Sequence, residues 1–460
     1  MTVTVVLPMS IATELQSAAM LSVETAGVLL ASIATTTRGL RLFAREIRWV
    51  EDSEYAERES TGLSVKSGGY MQALARAERM GATAIWLHTH PGFGSIPIAS
   101  TRDNAVDGQI ADLFRLRTGS PYYGALIISA DHGGFAFTGH LEAQDGTNIP
   151  IAHLWVVGDR LKLVSSIHSP SLGLSTVFDR NVRAFGPAVQ ETLSRLQIGV
   201  VGCGGTGSAV AEQLVRLGVR HICLLDPDRL SSSNVSRVYG STLADVGMPK
   251  VDVLGAHLTR IDPDVVVERL NGAITQEHVA HSLVPCDVLF GCTDDNAGRL
   301  VLSRAATYLM VPVFDCGVLI SSGSDGRLLG VDGRITIMVP GQGCLICRNR
   351  IDLARAATEL LSPTERVQRV DEGYAPALGA IEPAVVTFTT AVAAFAVAEL
   401  LERLIAYGPE PRPSEVLLRF HEREISTNAA PPREGHYCDP ATGKLGLGVT
   451  KPFLDQTWPY

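Results

Sequence analysis

The segment that most constrains this chain is Gln197-Ile-Gly-Val-Val201, followed at once by Gly202-Cys-Gly204-Gly205-Thr-Gly207-Ser208. The first five residues read as a buried strand, the glycines as a turn, and Ser208 to Leu217 as a helix. Such a unit opens a helix N-terminus towards an anion: the glycines let a phosphate approach the backbone, and the helix end favours its charge. His221-Ile-Cys-Leu-Leu225, Val288-Leu-Phe290 and Val311-Pro-Val-Phe314 repeat the strand pattern, with helical segments between them. This alternation predicts an α/β fold with a mostly parallel sheet and helices on both faces. Ligand-binding residues belong beyond the carboxyl ends of its strands. On these features alone, with Asp226 ending the next strand, an NAD(P)-dependent oxidoreductase fits as well as any other nucleotide enzyme.

The residues downstream separate the two. Asp226-Pro-Asp228 is succeeded by Asn234-Val-Ser-Arg237, then Gly247-Met-Pro-Lys250, then Cys292-Thr-Asp294-Asp295-Asn296-Ala-Gly-Arg299. Hydride transfer needs no cluster of Arg, Lys and Asp around phosphates. Attack on the α-phosphate of ATP does, because charge develops there and on the departing pyrophosphate. The ordered motifs resemble the ThiF-type adenylyltransferases, which include ubiquitin-activating enzymes and the sulfur-carrier activators of molybdopterin and thiamine synthesis. The resemblance covers roughly residues 175 to 405 and implies a Rossmann-like adenylation domain that uses ATP and Mg²⁺. It implies that Gly202, Gly204, Gly205 and Gly207 form the phosphate turn and that Asp226 binds the ribose, with Asp228 beside it. Asn234, Arg237 and Lys250 are implied to hold the phosphates, and Asp294 the Mg²⁺, with Asp295 as an alternative one register on. Arg180, in Phe178-Asp-Arg180-Asn, matches an arginine that reaches into a partner subunit's site, which implies a homodimer.

The N-terminal part carries different chemistry. His88-Thr-His90-Pro ends the apolar run Ala84-Ile-Trp-Leu-His88 and is followed by Ser100-Thr-Arg-Asp103. Two histidines at i and i+2 at a strand end can converge on one metal, and Asp103 adds an oxygen. Three protein ligands leave a fourth position for water, as in a catalytic zinc site. The pattern resembles the JAMM (MPN/JAB) metallopeptidases, whose domain is an α-β-α sandwich and whose substrates are peptide or isopeptide bonds at the C-terminus of ubiquitin-like proteins. By that resemblance His88, His90 and Asp103 hold Zn²⁺, Glu24 is the general base on an early helix, and Ser100 stabilises the oxyanion. Nine residues separate His90 from Ser100 where the family usually has seven, and Asp107 is a second candidate oxygen ligand. Glu24 to Ala34 reads as an apolar helix.

Cys344-Leu-Ile-Cys347 matches the first half of a structural zinc knuckle of the adenylyltransferases, but the second Cys-x-x-Cys is missing. Cys438 and His436 are the later residues able to complete a Cys₃His site. Cys203, Cys223, Cys286, Cys292 and Cys316 read as packing residues in or beside strands. Cys438 is the remaining candidate for a thioester nucleophile, though nothing near it marks an activated thiol.

Composition closes other routes. The 460 residues carry 48 Asp+Glu against 39 Lys+Arg, a net charge of −9, which argues against nucleic-acid binding by bulk charge. No run approaches the roughly 18 uncharged apolar residues of a membrane span. The start lacks the basic segment of a secretory signal, and eight cysteines in this length do not make a disulfide framework, so the cytoplasm is the expected compartment. The expected organisation is a metallopeptidase domain over 1–145, an irregular connector over 146–175, an adenylation domain over 176–430 and a tail over 431–460. The expected function is bifunctional: zinc-dependent cleavage near the C-terminus of a ubiquitin-like or sulfur-carrier protein, then ATP·Mg²⁺-dependent adenylation of its terminal Gly-Gly. The alternatives are a sulfur-transfer adenylyltransferase with an inactive N-terminal scaffold, or the oxidoreductase.

Overall fold

A computed structural model describes residues 2–94, 96–166, 175–323, 325, 327–371 and 383–458. The chain divides into two compact units, Met1–Ser171 with Leu445–Val449, and Leu172–Lys444 with Thr450–Tyr460. Among the described residues no helix is long and apolar enough to cross a membrane.

The first unit comprises β1 (Thr2–Pro8), α1 (Met9–Ala19), β2 (Ala26–Thr36), β3 (Gly39–Trp49), the small hairpin β4 (Tyr55–Arg58) and β5 (Leu63–Val65), and α2 (Gly68–Met80). Then come β6 (Thr83–Phe93), α3 (Thr101–Thr118), β7 (Tyr122–Asp131), β8 (Gly134–Ala143), β9 (Asn148–Val157) and β10 (Lys162–Ser165). The main sheet runs β1-β3-β2-β6-β7-β8-β9-β10, and β1 also pairs in parallel with β9. The sheet therefore closes on itself in a barrel-like way, where an open α-β-α sandwich was expected. Helices still cover both faces: α1 packs Ile11 and Leu15 into one core with Leu29, Leu87 and Phe137, and α2 and α3 pack Leu74 and Phe114 against Trp86 and Tyr123 on the other.

Two expectations fail in this unit. Glu24 to Ala34 is not a helix: β2 begins at Ala26, and Glu24 lies in the turn before it. β2 is hydrogen-bonded on both edges and buried on both faces, so its sequence is a continuous apolar run, which periodicity cannot tell from a buried helix. Nor is 146–166 an irregular connector, because β9 and β10 lie there and β9 helps close the sheet. Residues 167–174 of that expected connector lie outside the described residues.

The second unit contains α4 (Asp179–Phe185), α5 (Pro187–Arg195), β11 (Gln197–Val201), α6 (Gly205–Arg216), β12 (His221–Leu225), α7 (Lys250–Ile261), β13 (Val266–Leu270) and α8 (Glu277–Ala280). It continues with β14 (Val288–Gly291), α9 (Asn296–Tyr308), β15 (Val313–Ser322), β16 (Leu328–Met338), α10 (Leu353–Glu359), α11 (Pro363–Asp371), α12 (Val386–Ile405), β17 (Glu415–Arg419) and β18 (Glu424–Asn428). The sheet order is β13-β12-β11-β14-β15-β16-β17-β18. The four pairs from β13 to β15 are parallel, as expected, but the three pairs from β15 to β18 are antiparallel, so the sheet is mixed. The hairpins β15–β16 and β17–β18 need no crossover helix, and that half of the sheet is absent from the strand–helix alternation read in the sequence.

One buried ion network ties this antiparallel half together. Glu415, 1% exposed, accepts hydrogen bonds from Arg350 Nε at 3.0 Å and Nη2 at 2.8 Å, from Asn428 Nδ2 at 2.8 Å and from Thr336 Oγ1 at 3.1 Å. Burial alone raises its pKa, but the bonds from Arg350 and Asn428 outweigh it and bring the carboxyl down to about 2 from 4.5. A depressed carboxylate pKa stabilises the fold above about 4.5, and that contribution fades as the pH falls towards 2. Glu415→Gln is expected to cost about 3 kcal/mol at pH 7. Denaturant titrations should show the gap to wild type narrowing as the pH drops from 5 to 2.5; a constant gap would mean that the carboxylate charge is not what stabilises this network.

Candidate functional sites

A cavity of about 1050 Å³ opens at the carboxyl ends of the parallel strands of the second unit. Its floor is the glycine turn. Gly202 has φ +92°, and a Cβ there would lie 2.6 Å from the Cys292 carbonyl oxygen, so only glycine fits between β11 and β14. Gly204 and Gly205 line the cavity at the start of α6, which aims its free N–H groups into it. Gly207 does not line it. A Cβ there would meet the Gly202 carbonyl oxygen at 1.8 Å, so this glycine serves the close packing of helix on turn.

Asp226, 5% exposed, follows β12 and accepts hydrogen bonds from Cys203 N at 2.6 Å and Asp228 N at 2.8 Å. Burial raises its pKa, with Lys250 pulling the other way. Lys250 heads α7 and reaches Asp228 at 2.7 Å and Asp226 at 3.8 Å. Arg237 also lines the cavity and donates to Ser233 O at 3.0 Å. Asn234 is elsewhere: its Oδ1 accepts from Ser231 N at 3.0 Å, capping a short turn outside the lining. Arg180 stands exposed on α4, also outside it.

The adjacent carboxylates at 294 and 295 have separate environments. Asp295 is the N-cap of α9, accepting from Gly298 N and from the Thr293 hydroxyl. Asp294 is exposed in the cavity and makes no hydrogen bond or ion pair among the described residues. Sequence reasoning missed the stretch Gly272–Thr275 beyond β13, Arg334 on β16, and Thr389 on α12, which also line the cavity. The first follows the carboxyl end of a strand and was findable by that rule; the other two depend on long-range pairing.

In the first unit, alternation along β6 sends Ala84, Trp86, His88 and His90 to the face covered by α2 and α3. Ser100 caps α3: its Oγ accepts from Asp103 N at 3.2 Å, and Asp103 Oδ2 accepts from Ser100 N at 2.6 Å. The cap presents Asp103 to the histidines, 3.2 Å from His88 Nε2 and 3.5 Å from His90 Nε2, with 3.2 Å between the two Nε2 atoms. Ligands 2.0–2.1 Å from a tetrahedral Zn²⁺ stand about 3.3 Å apart, so this donor set fits that ion despite the nine-residue loop. Asp107 is directed elsewhere, accepting from the Tyr123 hydroxyl at 2.6 Å. Burial raises the Asp103 pKa less than the His88 and His90 hydrogen bonds depress it, which keeps it ionised.

Glu24 joins the group because Ala26 pairs with His88 across β2 and β6. Its backbone is fixed by Glu59 O, by Arg58 and, through Thr25 N, by the Thr89 hydroxyl at 3.0 Å. The Glu24 side chain is 8% exposed, and burial raises its pKa despite the facing histidines. Thr89 and Arg58 were not singled out from sequence, although Thr89 lies between the two histidines.

A third cluster gathers Cys344, Cys347, His436 and Cys438. Cys347 Sγ lies 3.4 Å from His436 Nδ1 and 3.5 Å from Cys438 Sγ, and His436 Nδ1 is 3.2 Å from Cys438 Sγ. Zn–S bonds of 2.3 Å in a tetrahedron separate sulfurs by about 3.8 Å, so the Cys₃His set suits a closed structural zinc. The Cys438 hydrogen bond lowers the Cys344 thiol to about 5, while Cys438 is pushed up. This arrangement packs Cys438 against Cys347 and His436. Of the five cysteines read as packing, Cys203, Cys223, Cys286 and Cys316 are buried, whereas Cys292 is half-buried and lines the nucleotide-side cavity together with Cys316.

The profile of the ThiF family matches residues 178–439. The chain is 31% identical over 172 residues to the molybdopterin-synthase adenylyltransferase of Escherichia coli (strain K12), spanning 37% of this chain and 65% of that protein. It is 29% identical to the sulfur carrier protein ThiS adenylyltransferase of the same organism (34% and 60%) and 30% identical to ubiquitin-like modifier-activating enzyme 5 of Rattus norvegicus (34% and 40%). The chain thus spans less than two thirds of the length of these relatives. Superposition on the microcin C7 biosynthetic enzyme MccB in complex with N-formylated MccA gives a TM-score of 0.45 at 18% identity, covering 56% and 74% of the two chains.

Proposed function

The chain belongs to the ThiF family, and from that premise we propose that its second unit adenylates the C-terminal carboxylate of a small ubiquitin-like or sulfur-carrier protein ending in Gly-Gly. The observation that carries this reading is Asp294, open in one cavity with Lys250, Arg237 and the N-terminus of α6. In this reading Asp226 accepts a ribose hydroxyl, the glycine turn and α6 receive the phosphates, and Arg237 and Lys250 oppose the charge that develops on them. Asp294 would hold Mg²⁺, which when bound would offset negative charge on the phosphates. The carrier carboxylate attacks the α-phosphorus, giving an acyl-adenylate. Arg180, exposed on α4, is assigned to a partner subunit's site in a homodimer. ATP–pyrophosphate exchange tests the proposal: exchange that depends on a carrier with a free terminal Gly-Gly supports it, and none across a panel of such carriers removes it.

A second activity is favoured by the His88, His90 and Asp103 cluster with Glu24 set beside it. It is metal-dependent hydrolysis of a peptide or isopeptide bond near the terminus of the same carrier, exposing the Gly-Gly for adenylation. Zn²⁺, when bound, supplies a water acidic enough to attack near neutral pH. Glu24 takes the proton of that attack and returns it to the leaving amine, and the Ser100 hydroxyl is free to donate to the oxyanion. Glu24 works ionised, so cleavage should rise with pH through its raised pKa. Glu24→Gln should lower cleavage of a C-terminally extended carrier by about 10²–10⁴-fold while metal content stays unchanged. Cleavage that survives both this variant and a chelator would leave the first unit as a scaffold for the adenylyltransferase.

A further inference from the structure

Two helices start side by side in the second unit, α6 after β11 and α9 after β14, and the paired strands bring both starts to the cavity. Their leading N–H groups meet different fates. α6 has no side-chain cap, and Gly204 leaves its start open. The start of α9 is filled twice: Asp295 accepts from Gly298 N, and Glu359, at the end of α10, accepts from Ala297 N at 2.8 Å. The Glu359 side chain is 11% exposed and also accepts from Asn296 Nδ2 at 3.4 Å and from Arg355 Nε at 3.3 Å. Before the other end of α10, Asp352 N donates to Asn296 Oδ1 at 3.0 Å. The turn over 294–296 is therefore pinned from both ends of α10 as well as by its own cap. Asp294 stands in that turn with a side chain that makes no hydrogen bond or ion pair among the described residues.

We infer that Glu359 is a positioning residue for Asp294, and that together with Asp295 it closes the start of α9 to phosphate. The inference rests on the adenylation reading and adds the group that aims the proposed metal ligand. Glu359 does not line the cavity, so it touches no nucleotide and acts through the α9 turn. A helix start that already holds two carboxylates attracts no third anion, because its N–H groups are taken and its dipole is offset. The phosphates are left to the neighbouring start of α6. With no partner of its own, the Asp294 side chain takes its direction from the backbone of the turn, and that backbone is what Glu359 holds. One carboxylate beside a triphosphate suits Mg²⁺, which takes one or two together with substrate phosphates and keeps several waters. Releasing Ala297 N and Asn296 frees the first turn of α9 to fray, and the carboxylate then loses its fixed place.

The test uses the full chain, with Mn²⁺ as a paramagnetic substitute for Mg²⁺ and the non-hydrolysable analogue AMPCPP as nucleotide. Electron paramagnetic resonance counts free Mn²⁺, titration calorimetry follows AMPCPP without metal, and hydrogen exchange follows the amides at the start of α9. With AMPCPP saturating, Glu359→Ala should raise the Mn²⁺ Kd about tenfold while changing the metal-free AMPCPP Kd less than about threefold. Exchange at the start of α9 should quicken in the same variant. Glu359→Asp keeps the charge but is one methylene short, and should behave like Glu359→Ala. Glu359→Gln keeps an oxygen acceptor for Ala297 N and should stay within about threefold of wild type. Arg366→Met is the structural control: Arg366 Nη2 donates to Glu359 O at 3.0 Å and Leu361 O at 3.3 Å, so its loss loosens the end of α10 without touching the carboxylate. It should leave the Mn²⁺ Kd unchanged. An unchanged Mn²⁺ Kd in Glu359→Ala, or in Glu359→Asp should the alanine variant not fold, overturns the inference. A tenfold rise in Glu359→Gln also overturns it, by making charge rather than hydrogen bonding the cause, and so does one in Arg366→Met, by making it a general loosening of α10. Failure of AMPCPP to bind wild type would instead strike the adenylation reading itself.

Discussion

Asp294→Ala is expected to lower carrier-dependent ATP–pyrophosphate exchange by about 10³-fold with no change in melting temperature. Asp295→Ala should do nearly the reverse. Asp294 is exposed in the cavity and unpartnered among the described residues, so its removal would delete the proposed cation ligand while disturbing no fold contact. Asp295 caps α9 through Gly298 N, and losing a cap costs about 1 kcal/mol of stability, or about 2–4 °C in a unit of this size. Its effect on exchange should be confined to whatever α9 loses in order. Lys250→Ala belongs with Asp294→Ala. It removes the cation that faces both Asp226 and Asp228, and the loss should appear in the rate of adenylate formation more than in ATP affinity. Equal losses of exchange at 294 and 295 would mean that the two carboxylates share the metal, contrary to their separate environments in the fold.

The second large effect concerns the Cys₃His cluster. Wild type should contain two zinc ions per chain by elemental analysis, one in each unit. His88→Ala and Cys347→Ser should each remove one. The consequences differ. A catalytic site with an open position contributes little to folding, so His88→Ala should leave the melting temperature within about 2 °C. Cys347→Ser breaks a closed site that joins the segment after β16 to residues 436–438, a connection between positions about ninety residues apart in the chain. Structural zinc binding is folding free energy, so this loss should cost about 4 kcal/mol and lower the melting temperature by about 10 °C. The damage should extend to the cavity. Arg348 donates to Gly343 O and Asn428, and Arg350 both lines the cavity and holds Glu415, so the loop from Cys347 to Arg350 links the cluster to the site wall. Zinc removal without loss of either stability or exchange would show the cluster to be dispensable.

Much of this was legible in the linear order of residues. A short apolar run, a glycine turn and a helix are local events, governed by chain conformation within about ten residues; β11 formed where expected, and α6 begins at Gly205, three residues before the expected Ser208. The motif order pointed to the family that the second unit belongs to. His88 and His90 share a face because strand alternation has a period of two, and Asp103 reaches them through a cap spelled out by Ser100 and its third neighbour. The proximity of these three side chains was readable for that reason.

What stayed hidden depends on pairing between distant segments. Glu24 was read onto a helix because a strand buried on both faces has no polar side to reveal its period. The closure of the first sheet by β1 and β9, and the pairing of β16 with β17 in the second, were lost because hydrogen bonds between strands far apart leave no local mark. Tertiary structure alone shows that Asp295 caps α9 while Asp294 stays open in the cavity, since neighbouring identical carboxylates differ only in what α9 asks of one of them. It also joined His436 and Cys438 to Cys344 and Cys347 across the chain, and it brought Glu359 to the start of α9. The amino-acid order determined which chemical groups were present and how each short segment would coil or extend. Only the packing of those segments decided which groups meet, because a site is a set of distances and chain order does not specify distances between remote residues.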